Sequence, residues 1–179
     1  MKISNVFWFT GLSGAGKSTV AEGVKSRLNL IGMKVLIIDG DIIRDKITKN
    51  LGFNKFDIEE NNRLISELCV KHRHEYDIIL VSIISPFKSS RSAAKKKLDK
   101  GFYEIFFDVD LDTLHARDTK GLYKQARNGL INNLIGVSKT NVYEKPENPD
   151  LRLDTANYSK EESIDLFFEF VMKKNLLCI

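Results

Sequence analysis

One octet near the start of the chain, Gly11-Leu12-Ser13-Gly14-Ala15-Gly16-Lys17-Ser18, restricts its fold more than any other stretch. It follows the apolar run Val6-Phe7-Trp8-Phe9, which reads as a buried strand. It opens into helical periodicity through Val20, Val24, Leu28 and Ile31. In that strand–turn–helix setting, G-x-x-x-x-G-K-[ST] is a phosphate-binding loop. Glycines let successive N–H groups curl round a polyphosphate, and the new helix adds the positive end of its dipole. Lys17 supplies a point charge for the β/γ-phosphates, and the Ser18 hydroxyl is a Mg²⁺ ligand. An ordinary glycine-rich strand-to-helix turn does not account for an octet this complete. The chain is therefore expected to bind a nucleoside triphosphate, with Gly11 through Thr19 as its contacts.

Downstream, strands and helices alternate. Residues 34–38 read as a second strand, followed by a short helix through Ile43 and Ile47 that stops at Leu51-Gly52-Phe53. Asp57 reads as the cap of a longer helix through Leu64 and Leu68. Residues 77–84 form a continuous apolar, β-branched run, which fits a strand covered on both faces and halted by Ser85-Pro86. A basic helix over 89–99, with Lys95-Lys96-Lys97 as its solvated face, leads to a strand over 103–109 and a helix beginning at Leu111. From 118 to 149 the pattern dissolves into glycine, asparagine, lysine and proline, and a segment that long is usually functional or disordered. A short strand at 151–154 and a closing helix over 159–173 complete the chain. The expectation is one α/β domain over 1–179, a P-loop NTPase fold. Its parallel sheet would be covered by helices on both faces, with ligands at the C-terminal strand ends.

A phosphate-binding loop does not say what happens to the nucleotide. Many such proteins end a later apolar strand on an aspartate that helps hold Mg²⁺, but the strand over 77–84 ends in Ser85. Asp39 and Asp41 follow the second strand instead. They can serve metal-bound water and an acceptor hydroxyl, or Asp41 can be a helix cap with Asp39 solvated. Arg44, one turn beyond Asp41, can fork onto a substrate phosphate or sulfate, or pair with Asp41.

Composition excludes little but points the same way. The net charge of +4 comes without a nucleic-acid-binding signature, so a polyanionic small substrate explains the surplus. No apolar run is long enough to span a bilayer and no signal-peptide pattern opens the chain. Cys69 and Cys178 belong to no metal-spacing motif, so reduced thiols in a cytoplasmic protein are expected, with neither nucleic acid nor membrane as partner.

Taken together, the blocks resemble the adenylylsulfate kinases, which use ATP to phosphorylate the 3′-hydroxyl of adenosine 5′-phosphosulfate. The matching text is Thr10 through Thr19, Asp39-Gly40-Asp41-x-x-Arg44, Leu51-Gly52-Phe53 and Ile84-Ser85-Pro86-Phe87. It continues with Arg117-Asp118-x-Lys120-Gly121-Leu122-Tyr123-Lys124, Tyr143-Glu144-x-Pro146-Glu147-Asn148-Pro149-Asp150 and Leu153-Asp154-Thr155. The resemblance implies a homodimeric kinase using ATP and Mg²⁺, with a mobile lid over about 118–143. By that analogy Asp41 orients or deprotonates the acceptor hydroxyl and, with Ser18, positions Mg²⁺, while Lys17 serves catalysis. Arg117 and Thr155 join the ATP contacts. Asp39, Arg44, Phe53, Asn61, Ser85, Lys120 and Leu134 surround the nucleotide acceptor. Ser85 also matches a serine assigned in the family as a phosphoserine intermediate. No general base sits beside it in sequence, and in-line transfer needs none, so a substrate contact is the more economical reading.

Departures fall on the acceptor side. Two arginines usual in the family are Ile58 and Leu64, and the second of two phenylalanines that sandwich the adenine is Leu134. Lys88 stands where an arginine usually follows Ser-Pro-aromatic, and lysine lacks the fork. The ATP side is intact. Three readings follow: an adenylylsulfate kinase with a drifted pocket, a relative acting on another modified nucleotide such as cytidine diphosphoramidate in capsule decoration, or an idle nucleotide-binding regulator. Intact Lys17, Ser18 and Asp41 argue against the last.

Overall fold

The computed structural model describes residues 3–176. Its strands are β1 (Asn5–Thr10), β2 (Val35–Asp39), β3 (Ile78–Ser82), β4 (Phe102–Phe107) and β5 (Leu151–Leu153). They form one sheet in the order β2-β3-β1-β4-β5, with every neighbouring pair parallel. Successive side chains point to opposite faces, and on β1 both faces are apolar. Phe7 and Phe9 enter the core beneath the first and last helices, α1 (Lys17–Leu30) and α7 (Lys160–Leu176). Val6 and Trp8 enter the opposite core, with Ile65, Cys69 and Leu98 from α3 (Lys55–His72) and α4 (Lys88–Leu98). Three shorter helices, α2 (Gly40–Lys46), α5 (Leu111–Arg117) and α6 (Leu122–Arg127), complete the described residues. This is the doubly covered parallel sheet expected of the P-loop fold.

Several local expectations shift. β3 stops at Ser82, two residues before Ile84. The carbonyl of Ile84 is taken instead by Gly11 N–H at 3.1 Å and the Thr10 hydroxyl at 2.9 Å, so the chain peels off the ladder there. Asn54, not Asp57, caps α3, accepting the Asp57 N–H. Asp57 lies in the first turn and accepts from Gly52 N–H and the Asn54 amide. The stretch 118–149 is less formless than it reads. It contains α6, a six-residue helix whose N-cap, Gly121, sits at φ 67°. So short a helix offers too few periodic positions to be read. Cys69 is buried, and burial pushes its thiol up to about 12, so it packs as an inert apolar side chain. Cys178 lies outside the described residues.

The polar core is organised by Arg91, a residue the sequence does not single out. Its guanidinium donates to the carbonyls of Ser85 (2.9 Å), Pro86 (3.1 Å) and Glu144 (2.8 Å), and its Nε pairs with Glu104 at 2.6 Å. Burial raises the Glu104 carboxyl above its usual range, and Arg91 partly offsets this. Lys88, by contrast, is exposed and pairs with Glu147. Removing one partner of a buried pair is typically destabilising by 3–5 kcal/mol, whereas an exposed pair contributes 0–1. Arg91→Ala is therefore expected to lower stability by about 3–5 kcal/mol, and Lys88→Ala by under about 1 kcal/mol. Urea unfolding measures both.

Candidate active site

β1 delivers the phosphate loop to the C-terminal edge of the sheet. Gly11 begins it where no larger residue fits, since a Cβ there would lie 2.8 Å from the Phe107 carbonyl oxygen of β4. Gly16, at φ 87°, turns the loop into α1. Behind the loop, the Thr155 hydroxyl donates to the Ala15 carbonyl at 2.9 Å, and Arg117 donates to the Thr155 carbonyl. Tyr123 of α6 donates to the Ser13 carbonyl at 2.8 Å. Arg117 and Thr155 thus meet each other and brace the loop from outside. Leu12 and Ala15 are buried beneath it.

Lys17 is buried and donates to the carbonyls of Gly11 (2.9 Å) and Leu12 (2.7 Å). Burial, with Lys120 adding repulsion, pulls its ammonium down to about 7, against the opposing pull of Asp41 and Asp39. Ser18 donates to Asp39 at 2.7 Å and lies 3.0 Å from the Ser82 hydroxyl. The parallel register pairs Asp39 with Ser82, so the ends of β2 and β3 converge on Ser18. The carboxylate beside Ser18 thus comes from the end of β2, the strand adjacent to β3. Asp39 is also the N-cap of α2, accepting from the N–H groups of Asp41 (2.9 Å) and Ile42 (3.4 Å). That reverses the bland alternative in which Asp41 capped and Asp39 was solvated. Asp41 is exposed and ion-paired with Lys120.

A cleft of about 650 Å³ runs from the loop to the far side of the sheet edge. Gly14, Gly16, Lys17, Ser18 and Thr19 line one half, with Asp39, Asp41 and Lys120 between. Arg44, Phe53, Asn61, Ser85 and Leu134 line the other. Arg44 does neither thing its spacing suggests. It donates to the carbonyls of Leu51 (3.2 Å) and Gly52 (2.9 Å) and lies 4.4 Å over the ring of Phe53, which is left 45% exposed to the cleft. Asn61 is buried and accepts from the Thr48 hydroxyl at 2.9 Å. Ile58 and Leu134 are buried in the cleft wall, and Leu64 is half-buried.

Ser85 is buried with φ 43°, a left-handed conformation disfavoured for serine and more so before proline. Its carbonyl is held by Thr10 (3.0 Å) and Arg91, and its Oγ accepts from Trp8 Nε1 (3.0 Å) and Asn62 Nδ2 (3.2 Å). Both lone pairs of the hydroxyl are engaged, with no carboxylate or imidazole among its partners, so the oxygen is poorly set as a nucleophile. Trp8, Asn62 and Arg91 escaped sequence reading because nothing in their spacing announces partners so distant in the chain.

Residues 3–154 match the model of the adenylylsulphate kinase family. The chain belongs to that family. Relatives include an adenylyl-sulfate kinase of Clostridium acetobutylicum, 38% identical over 96% of this chain and 85% of the relative. One from a Synechococcus strain is 42% identical over 90% of this chain and 91% of its own. Among solved structures, the APS kinase of Mycobacterium tuberculosis in complex with AMPPNP and APS superposes with a TM-score of 0.90. It shares 35% identity, over 97% of this chain and 99% of that one. A hexameric APS kinase from Thiobacillus denitrificans matches with a TM-score of 0.70 at 26% identity, this chain spanning 30% of it.

As a member of the adenylylsulfate kinase family, the chain is a kinase, a phosphotransferase to a hydroxyl acceptor. Burial of its loop lysine is expected to make nucleotide binding sensitive to pH. A polyphosphate beside Lys17 favours the ammonium, so nucleotide binding should take up a proton wherever free Lys17 is neutral. AMPPNP affinity is therefore expected to be highest below pH 7 and to fall as pH rises from about 7 towards 9. Calorimetry in buffers of different ionisation enthalpy reads the uptake directly, and Lys17→Arg should abolish the slope.

Proposed function

We propose that the protein transfers the γ-phosphoryl group of ATP to the 3′-hydroxyl of adenylylsulfate. The observation that carries this reading is the convergence of Lys17, Ser18, Asp39 and Asp41 at one end of a cleft whose other end presents the Phe53 face. The Ser18 hydroxyl and the carboxylates of Asp39 and Asp41 fit Mg²⁺, which takes one or two carboxylates and completes its shell with phosphates and water. Among the described residues no group of three acidic, histidine or cysteine side chains could hold a metal alone. Bound there, Mg²⁺ would neutralise phosphate charge.

Lys17 would leave the loop carbonyls for the β/γ-phosphates, and Asp41 would part from Lys120 to orient or deprotonate the acceptor hydroxyl. Lys120, released, would face the charge that develops in transfer. Ser85 would contact the acceptor without being phosphorylated. Residues 118–143 would act as a lid within a single kinase domain over 1–179, and the chain would assemble as a homodimer. Sedimentation equilibrium tests the last point.

Asp41→Asn should lower kcat by ~10²–10⁴-fold with ATP affinity little changed, and Lys17→Ala or Ser18→Ala should abolish turnover with a normal melting curve. Loss of ATP affinity alone in Asp41→Asn would make Asp41 a binding residue only. Limited proteolysis should cut 118–143 less when AMPPNP is present, and equal cutting would count against the lid.

One observation favours a second acceptor. Base–aromatic stacking contributes ~1–3 kcal/mol per base, and Leu134 lines the same cleft as Phe53 without offering a second aromatic face. Adenylylsulfate use should then be weak, and Leu134→Phe with Ile58→Arg should raise kcat/KM for it. ATP consumption across adenine and cytosine nucleotides, cytidine diphosphoramidate included, decides between the two acceptors. Vigorous use of adenylylsulfate, unimproved by the double change, would remove the second.

A further inference from the structure

Asn141 ties together two walls of the acceptor half of the cleft. It is 3% exposed, and its amide nitrogen donates to the carbonyls of Phe53 and Asn133, each at 2.8 Å. Its own backbone carbonyl accepts the Gly136 N–H at 2.8 Å. Phe53 comes from the connection between α2 and α3, and residues 133–136 from the segment that follows α6. Leu134 and Ile135, inside the turn Asn141 holds, are buried and line the cleft. That turn is also pressed against the phosphate loop. Gly136 sits at φ 83°, where a Cβ would lie 2.4 Å from Leu12 Cδ2.

The side-chain chemistry suits this place. A primary amide offers two N–H groups, a hydroxyl one and a carboxylate none, and both N–H groups here meet carbonyl oxygens. An asparagine that only satisfied its own loop would need the bond to Asn133 and no more. The second bond crosses 88 positions of sequence to the residue carrying the exposed aromatic face.

We propose that Asn141 is a positioning residue that sets the gap between Phe53 and Leu134, and so the affinity for the base of the acceptor. It acts through those two side chains, since its amide bonds to the carbonyls of Phe53 and Asn133 rather than to the phosphate loop or Asp41. The inference rests on the reading of this half of the cleft as the acceptor site.

The test uses the full chain with Asn141→Ala and Asn141→Asp. One lost hydrogen bond corresponds to about a tenfold change. Asn141→Ala should raise KM for adenylylsulfate by about tenfold while KM for ATP stays within about twofold. Amide exchange of residues 133–138 in the ligand-free variant should quicken, with that of the sheet unchanged. Asn141→Asp keeps the shape but opposes a carboxylate to two carbonyls. Its KM for adenylylsulfate should fall from about pH 8 to about pH 6, as the protonated acid regains one donor. That profile carries the test if Asn141→Ala does not fold. Unchanged acceptor KM in both variants would overturn the inference, as would equal rises in both KM values with exchange quickened throughout. If the wild-type protein does not use adenylylsulfate, the proposed function fails separately. Asn141 is then judged on exchange at 133–138 alone, where no change would overturn it.

Discussion

Asp39 and Ser82 lie side by side because β2 and β3 run parallel in a register held by apolar side chains on both faces of the sheet. A slip of one residue would turn every side chain of β2 to the other face and take Asp39 away from Ser82 and Ser18. The core therefore enforces the position of a carboxylate that makes almost no core contact itself. Once there, Asp39 does two things with two oxygens. Oδ1 caps α2 and so aims Asp41, while Oδ2 receives the Ser18 hydroxyl. Hydrophobic register, helix capping and the phosphate-side oxygens are a single arrangement.

How legible this was depended on the distance along the chain over which each contact acts. The phosphate loop is contiguous, and its glycines, lysine and serine announce themselves without tertiary help. The strands are long apolar runs, so their existence was plain, though β3 ended early because Thr10 and Gly11 claim the Ile84 carbonyl from outside it. Arg44 shows the limit more sharply. Its spacing from Asp41 suggested a charge partner, but the Leu51 and Gly52 carbonyls, bent back by the turn before α3, offered it acceptors and the Phe53 ring a flat surface. Arg91, Asn62 and Asn141 carry no local signature at all. Their partners lie on other elements, and only the folded chain brings those carbonyls and hydroxyls within reach.

The two halves of the cleft differ in how they are built. The phosphate-loop half is backbone geometry with the Lys17 and Ser18 side chains added. The other half, proposed above for the acceptor, is assembled from α2, its connection to α3, α3 itself, the loop after β3 and the segment following α6. Arg91 and Tyr143 stabilise the junction between these halves, Arg91 through the Ser85 and Glu144 carbonyls and Tyr143 through the Thr10 hydroxyl at 2.8 Å.

The bond from Trp8 to Ser85 has an optical consequence. Trp8 is the chain's one tryptophan, it is fully buried, and its indole N–H ends on a hydroxyl that lines the cleft. Indole emission responds to whatever accepts that N–H. A molecule that draws the Ser85 hydroxyl towards itself would alter the field at the chromophore, whereas one held only at the phosphate loop would leave it unchanged. The protein thus carries an unlabelled fluorescent reporter aimed at one half of its own cleft, against a background with no second indole to subtract.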